Sequence, residues 1–177
     1  GVVNFGATLN GAKSLTVTGN ADFDAAVGGA TALSALSVSG TTALGVNVTT
    51  TGTQTYSGAV TLGADVTLTG STIGFASTVN GGQALTVTGN ATIGAAIGGS
   101  TRLSSLSVSG TTSLGGSVST TGAQTYTGAT TLTGNRTLTG SGLSVGAVDL
   151  GSATLTVAEA GAGSIGGTVS GTGGFTV

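Results

Sequence analysis

Residues 11–20, GAKSLTVTGN, return seventy positions later as GGQALTVTGN at 81–90. The echo continues outward from there. TALSALSVSG at 31–40 meets TRLSSLSVSG at 101–110, TGTQTYSGA at 51–59 meets TGAQTYTGA at 121–129, and 42 of the 70 aligned positions are identical. Self-similarity at a fixed period marks a stacked architecture in which each unit covers the next. The 177-residue chain therefore reads as a single solenoid over 1–177, with copies at 1–70 and 71–140 and a partial, divergent third at 141–177.

Inside each copy runs a finer rhythm. Leu15-Thr16-Val17-Thr18, Leu36-Ser37-Val38-Ser39 and Val66-Thr67-Leu68-Thr69 alternate aliphatic with hydroxyl side chains, and Gly19, Gly40 or Gly70 closes each. A period of two is that of a strand with one wet face, so Leu and Val point inward and Thr and Ser outward. The candidate core ladder is Leu15, Val17, Leu36, Val38, Val66, Leu68, Leu85, Val87, Leu106, Val108, Leu138, Leu155 and Val157, with Phe5 and Phe75 as bulky fillers in register. Leu15, Leu36 and Leu68 are expected to share one stack. Short strands parted by Gly-Asn, Asn-Gly and Gly-Gly suit hairpins or solenoid corners equally. The strict phase over 70 residues, with about four strand groups per copy, favours the solenoid. The expected fold is all-β, a right-handed parallel β-helix of about ten coils of 17–18 residues.

Composition narrows the function. Glycine numbers 36, proline, cysteine, methionine, tryptophan and histidine are absent, 5% of residues are charged and the net charge is −2. Charge-driven disorder is excluded by a mean hydropathy of +0.47. Eight charged residues cannot lace the wet face of a helix, so an all-α fold fails. Three basic residues and six aromatics offer neither a phosphate track nor a series of stacking platforms, which argues against nucleic acid. No apolar run is long enough for a membrane-spanning helix. Residues 1–20 lack a basic start and apolar core, so any signal peptide is expected elsewhere in the reading frame. Without cysteine, stability must come from backbone ladders and stacked aliphatic side chains. Neither end carries a charged or helical cap, which points to excision from a longer protein or to end-to-end stacking of identical subunits.

The string LTVTGN…AAIGG…LSSLSVSGTT…STTGAQTYTGATTL…TLTG, over about residues 1–140, resembles the β-strand repeats of filamentous-haemagglutinin-like, two-partner secretion adhesins of Gram-negative bacteria. The tail, from Leu155-Thr156-Val157 to Gly173-Gly174, resembles the passenger-associated repeats of autotransporters. The resemblance implies a right-handed β-helix exported through an outer-membrane pore to the cell surface, where other parts of the parent protein meet a host receptor or carbohydrate. On that basis the chain is expected to be a structural rod of a secreted surface fibre or adhesin. A self-assembling filament subunit is the first alternative and an ice-binding solenoid using Thr-x-Thr faces the second.

No enzyme is expected. Glycoside hydrolysis needs two carboxyl groups at a set separation, and the supply is Asp22 with Asp24 plus the isolated Asp65, Asp149 and Glu159. In the second copy Asp22, Asp24 and Asp65 become Thr92, Gly94 and Asn135, as solvent positions would. No recurrent Asp marks calcium sites, no His or Cys can hold zinc, and no cofactor is expected. Gly161-Ala162-Gly163 and Gly171-Thr172-Gly173-Gly174 lack the Lys and following helix of a phosphate loop and read as turns. Thr16/Thr18, Thr53/Thr55, Thr67/Thr69, Thr86/Thr88 and Thr137/Thr139 project from strands at uneven spacing. Asn47, Asn90 and Asn135 head N-x-Thr triplets that do not align between copies. Tyr56 and Tyr126, each in Gln-Thr-Tyr, are expected at the rim of the core, shielding it, with carbohydrate stacking as the alternative.

Overall fold

The computed structural model describes residues 1–177, the side chain of Glu159 excepted. The chain is all-β: strands of two to ten residues, from Val2–Phe5 to Phe175–Thr176, follow one another without a helix among the described residues. Every strand pairing is parallel. Each turn of chain returns to lie beside the one before it, giving a β-solenoid of about nine turns.

Three ladders of inward-facing residues, one per face, run the length of the rod. The first passes through Val3, Ala21, Thr42, Val60, Val79, Ile97, Val118, Leu138 and Val157. The second passes through Leu9, Val27, Val48, Leu68, Val87, Val108, Tyr126, Val145 and Ile165. The third passes through Leu15, Leu36, Gln54, Ile73, Ala91, Thr112, Thr130, Val148 and Val169. Stacking at ~4.8 Å buries the apolar side chains of the inner turns between the turns above and below. A fully buried Val or Leu contributes about 1.5–3 kcal/mol, which takes the place of disulfide staples.

Residues that pair between neighbouring strands lie 18 to 21 apart, so a turn is longer than the expected 17–18 residues and there are fewer turns than ten. Alternation exposes about four strands per copy, but several faces touch only as isolated bridges, such as Leu9 with Val27 and Val79 with Ile97. Such contacts are too short to leave a period of two in the sequence. The longer turn also splits the expected stack. Leu15 pairs with Leu36, but Leu68 lies in the second ladder between Val48 and Val87.

The seventy-residue unit is therefore not a whole number of turns. From Leu15, three turns lead through Leu36 and Gln54 to Ile73 on the same face, and two further faces, at Val79 and Leu85, reach the equivalent residue. Equivalent residues of the two copies occupy matching interior positions on different faces. Gln54 stands on the third face and Gln124 on the second. The corners repeat just as closely. Gly28 and Gly98 have φ of 72° and 71°, and a Cβ on either would lie 2.0 Å from a carbonyl oxygen of the next turn, Thr49 or Ser119. Only glycine fits there.

Candidate functional site

The interior is mostly aliphatic. Val17, Leu36, Val38, Val66, Leu68, Leu85, Val87, Leu106, Val108, Leu138, Leu155, Val157 and Phe75 are buried, while Leu15 and Phe5 are partly buried against them. Phe5 stacks on Phe23 with ring centroids 4.8 Å apart, and Phe75 stacks on Tyr56 at 5.6 Å.

Tyr56 and Tyr126 are not rim residues: both are 0% exposed. Each takes part in a polar hub that closes around a buried glutamine. The Tyr56 hydroxyl donates to Gln54 Oε1 at 2.8 Å, and Gln54 Nε2 donates to the carbonyl of Thr69 at 2.8 Å and to that of Val48 at 3.2 Å. Gln124 and Tyr126 repeat this around Thr139 and Val118, at 3.0 Å for the hydroxyl and 2.8 Å for the nearer carbonyl. Burial holds the Tyr56 phenol far above its usual pKa. Its lack of exposure also removes it as a carbohydrate-stacking platform. The signal in the sequence was the intact Gln-Thr-Tyr of both copies: alternation puts Gln on the same side as Tyr, so an inward Tyr carries an inward Gln.

Of the acidic candidates, Asp22 and Asp24 share one partner, while Asp65 and Asp149 each accept a separate backbone amide. Asp22 and Asp24 flank Phe23 on the first face, where Asn4 Nδ2 donates to Asp24 at 2.7 Å and to Asp22 at 3.4 Å. Asp65 lies at a corner, its Oδ1 accepting the Ala84 amide at 2.8 Å, and Asp149 accepts the Gly151 amide at 3.0 Å. Among the described residues, no three His, Cys, Asp or Glu side chains come together as a metal site. Glu159's side chain lies outside the described residues.

The three N-x-Thr asparagines have a common structural task. Asn47, Asn90 and Asn135 each accept a backbone amide from the next turn, of Thr67, Thr111 and Thr154, at 2.7, 2.9 and 2.8 Å. Asn10, Asn20 and Asn80 do the same toward Ala30, Thr41 and Ser100. These side chains clamp turn to turn at the corners, where strand pairing stops and backbone amides would otherwise be left open. Asp65 and Asn135 are equivalent positions, and either residue type serves because both offer the same Oδ1 acceptor. That interchange was the sequence signal for the clamps. The Gly-rich tail is a set of close corners: a Cβ on Gly161 would meet the carbonyl of Ser141 at 2.0 Å.

The Thr-x-Thr pairs are divided among all three faces. Thr67 stacks on Thr86, Ser107 and Thr125 along the second face, with Thr69 beside Thr88. Thr16 stacks on Ser37 and Thr55 along the third, and Thr137/Thr139 flank Leu138 on the first. The terminal turn leaves an apolar pocket of about 220 Å³ lined by Leu143, Val157, Ile165 and Phe175. It is the open end of the core. No protein-family model, curated protein or solved structure was found to match this chain.

Proposed function

We propose that this chain is a non-enzymatic structural segment of a secreted bacterial cell-surface fibre or adhesin, in which it acts as a rigid shaft. The observation that carries the reading is the continuity of the three parallel ladders through successive turns, around a packed interior and beneath an exterior that is mostly Ser, Thr and Gly with few charges. Such a rod resists bending because any bend must lengthen backbone hydrogen bonds on one face in several turns at once. The likeness of its repeats to those of two-partner secretion adhesins supports a cell-surface location and a Gram-negative host. Host receptor or carbohydrate binding then belongs to other parts of the parent protein. The test is the parent reading frame together with antibody labelling of intact cells. A secretion domain upstream, further 70-residue copies and surface labelling are expected; purely intracellular labelling would reject the proposal.

End-to-end assembly is a second reading, supported by the parallel ladders themselves, since each turn presents a row of backbone groups that a like turn can pair. Strand addition at such rungs would extend the ladders from chain to chain. Electron microscopy of the purified chain decides it, since unlimited fibres support assembly and monodisperse short rods reject it. Ice binding is favoured by the Thr and Ser column on the second face. Thermal hysteresis that survives replacement of Thr86 and Thr88 by bulky residues would remove that reading.

A further inference from the structure

Two of the corner asparagines precede glycine, Asn10-Gly11 and Asn80-Gly81. This dipeptide is open to spontaneous deamidation because no Cβ hinders the amide that follows. The glycine nitrogen loses its proton to base and attacks the asparagine Cγ; the new C–N bond closes a succinimide as the Cγ–Nδ2 bond breaks and ammonia leaves. Water then opens the ring at one carbonyl or the other, giving an aspartyl or an isoaspartyl residue.

Both participants in that attack are tied to the next turn, in the same way at both sites. The Gly11 amide donates to the Thr31 carbonyl at 3.1 Å, and the Gly81 amide to that of Thr101 at 3.3 Å. The electrophile is tied as well. Asn10 Oδ1 accepts the amides of Ala30 and Thr31 at 2.9 and 3.1 Å, and Asn80 Oδ1 those of Ser100 and Thr101 at 2.9 and 3.2 Å. The glycines are held at φ of 133° and 137°. The nucleophile cannot shed its proton, nor the side chain swing over it, without breaking contacts between turns.

We propose that Asn10-Gly11 and Asn80-Gly81 are guarded deamidation sites, converted only when their turn lifts off its neighbour. The two products differ in consequence. An aspartyl residue keeps the clamp, as Asp65 does by accepting the Ala84 amide. An isoaspartyl residue adds a methylene to the main chain at the corner and carries its free carboxylate directly on Cα, one carbon short of the position from which Oδ1 clamps the next turn. The corner hydrogen bonds thus join the turns and also protect a long-lived rod against an irreversible backbone lesion.

The test is to incubate the folded chain in mildly alkaline buffer beside the same chain in guanidinium and a free peptide of residues 75–86. Conversion at Asn10 and Asn80 is followed by mass spectrometry of proteolytic fragments. Folding is expected to slow Asn80 by at least about a hundredfold, which corresponds to an opening free energy of about 2.8 kcal/mol. In sub-denaturing guanidinium the rate is expected to rise in step with hydrogen exchange at the Gly81 amide. Equal rates in folded chain and peptide overturn the proposal. So does a peptide that is itself inert, or amide exchange that accelerates while deamidation does not.

Discussion

Replacing Gln54 by Leu keeps the approximate volume of the side chain and removes its hydrogen bonds from the core. The cost is set by what is left behind. The Thr69 carbonyl loses the Gln54 amide but still accepts the Thr50 backbone amide at 2.8 Å, so it is not orphaned. The Tyr56 hydroxyl, 0% exposed, loses the acceptor it reaches at 2.8 Å. A stranded buried donor costs about 1–3 kcal/mol, and with the lost bonds Gln54→Leu is expected to destabilise its turns by about 2–4 kcal/mol. Tyr56→Phe leaves Gln54 Oε1 without that donor and is expected to cost about 1–2 kcal/mol. In the double variant no hydroxyl is stranded, so its cost should fall below the sum of the singles by about 1–2 kcal/mol. Repeat proteins open locally, so the assay is native-state hydrogen exchange of the amides around residues 48–76, with whole-chain denaturation as a check. Additive costs within about 0.5 kcal/mol, or a Gln54→Leu chain as stable as its parent, would refute the idea that the pair acts as a unit.

Three other outcomes are expected. The hydroxyls of Thr112 and Thr130 are buried with no hydrogen-bond partner, so Thr→Val at either should raise stability by about 1 kcal/mol in thermal unfolding. Gly98→Ala, which places a Cβ 2.0 Å from the Ser119 carbonyl at a φ of 71°, should cost about 3 kcal/mol or more, whereas Gly82→Ala, with nothing within 4 Å, should be neutral or gain about 0.5 kcal/mol by the same measurement. With 5% charged residues, the unfolding midpoint should move by less than about 2 °C when sodium chloride is raised toward molar concentration.

Much of the fold was legible because its strongest physical signal is local. Leu15-Thr16-Val17 and Leu36-Ser37-Val38 declare which side is dry, and the recurrence of both at seventy declares a stack. What escaped was the length of a turn. Val27 and Ile97 touch their neighbours as single bridges, so the faces they make have no alternation to read, and Leu68 was expected in the ladder of Leu15 and Leu36. The polar hub escaped for another reason. A buried Gln is costly unless every partner is met, and its partners, the carbonyls of Val48 and Thr69, are supplied by backbone whose position no residue name reveals. The asparagine clamps reach across 19 to 21 residues, so their meaning depends on the same turn length.

A unit of three turns and two faces has a geometric sequel. Were the seventy-residue motif continued, every mark on its outside would reappear about 18 Å further along the axis and a third of a revolution around it, as treads do on a spiral staircase. Three units would complete eleven revolutions and bring the pattern back above its start. Such a shaft would have no front or back, and whatever a unit displayed would be offered in all radial directions however the shaft happened to roll.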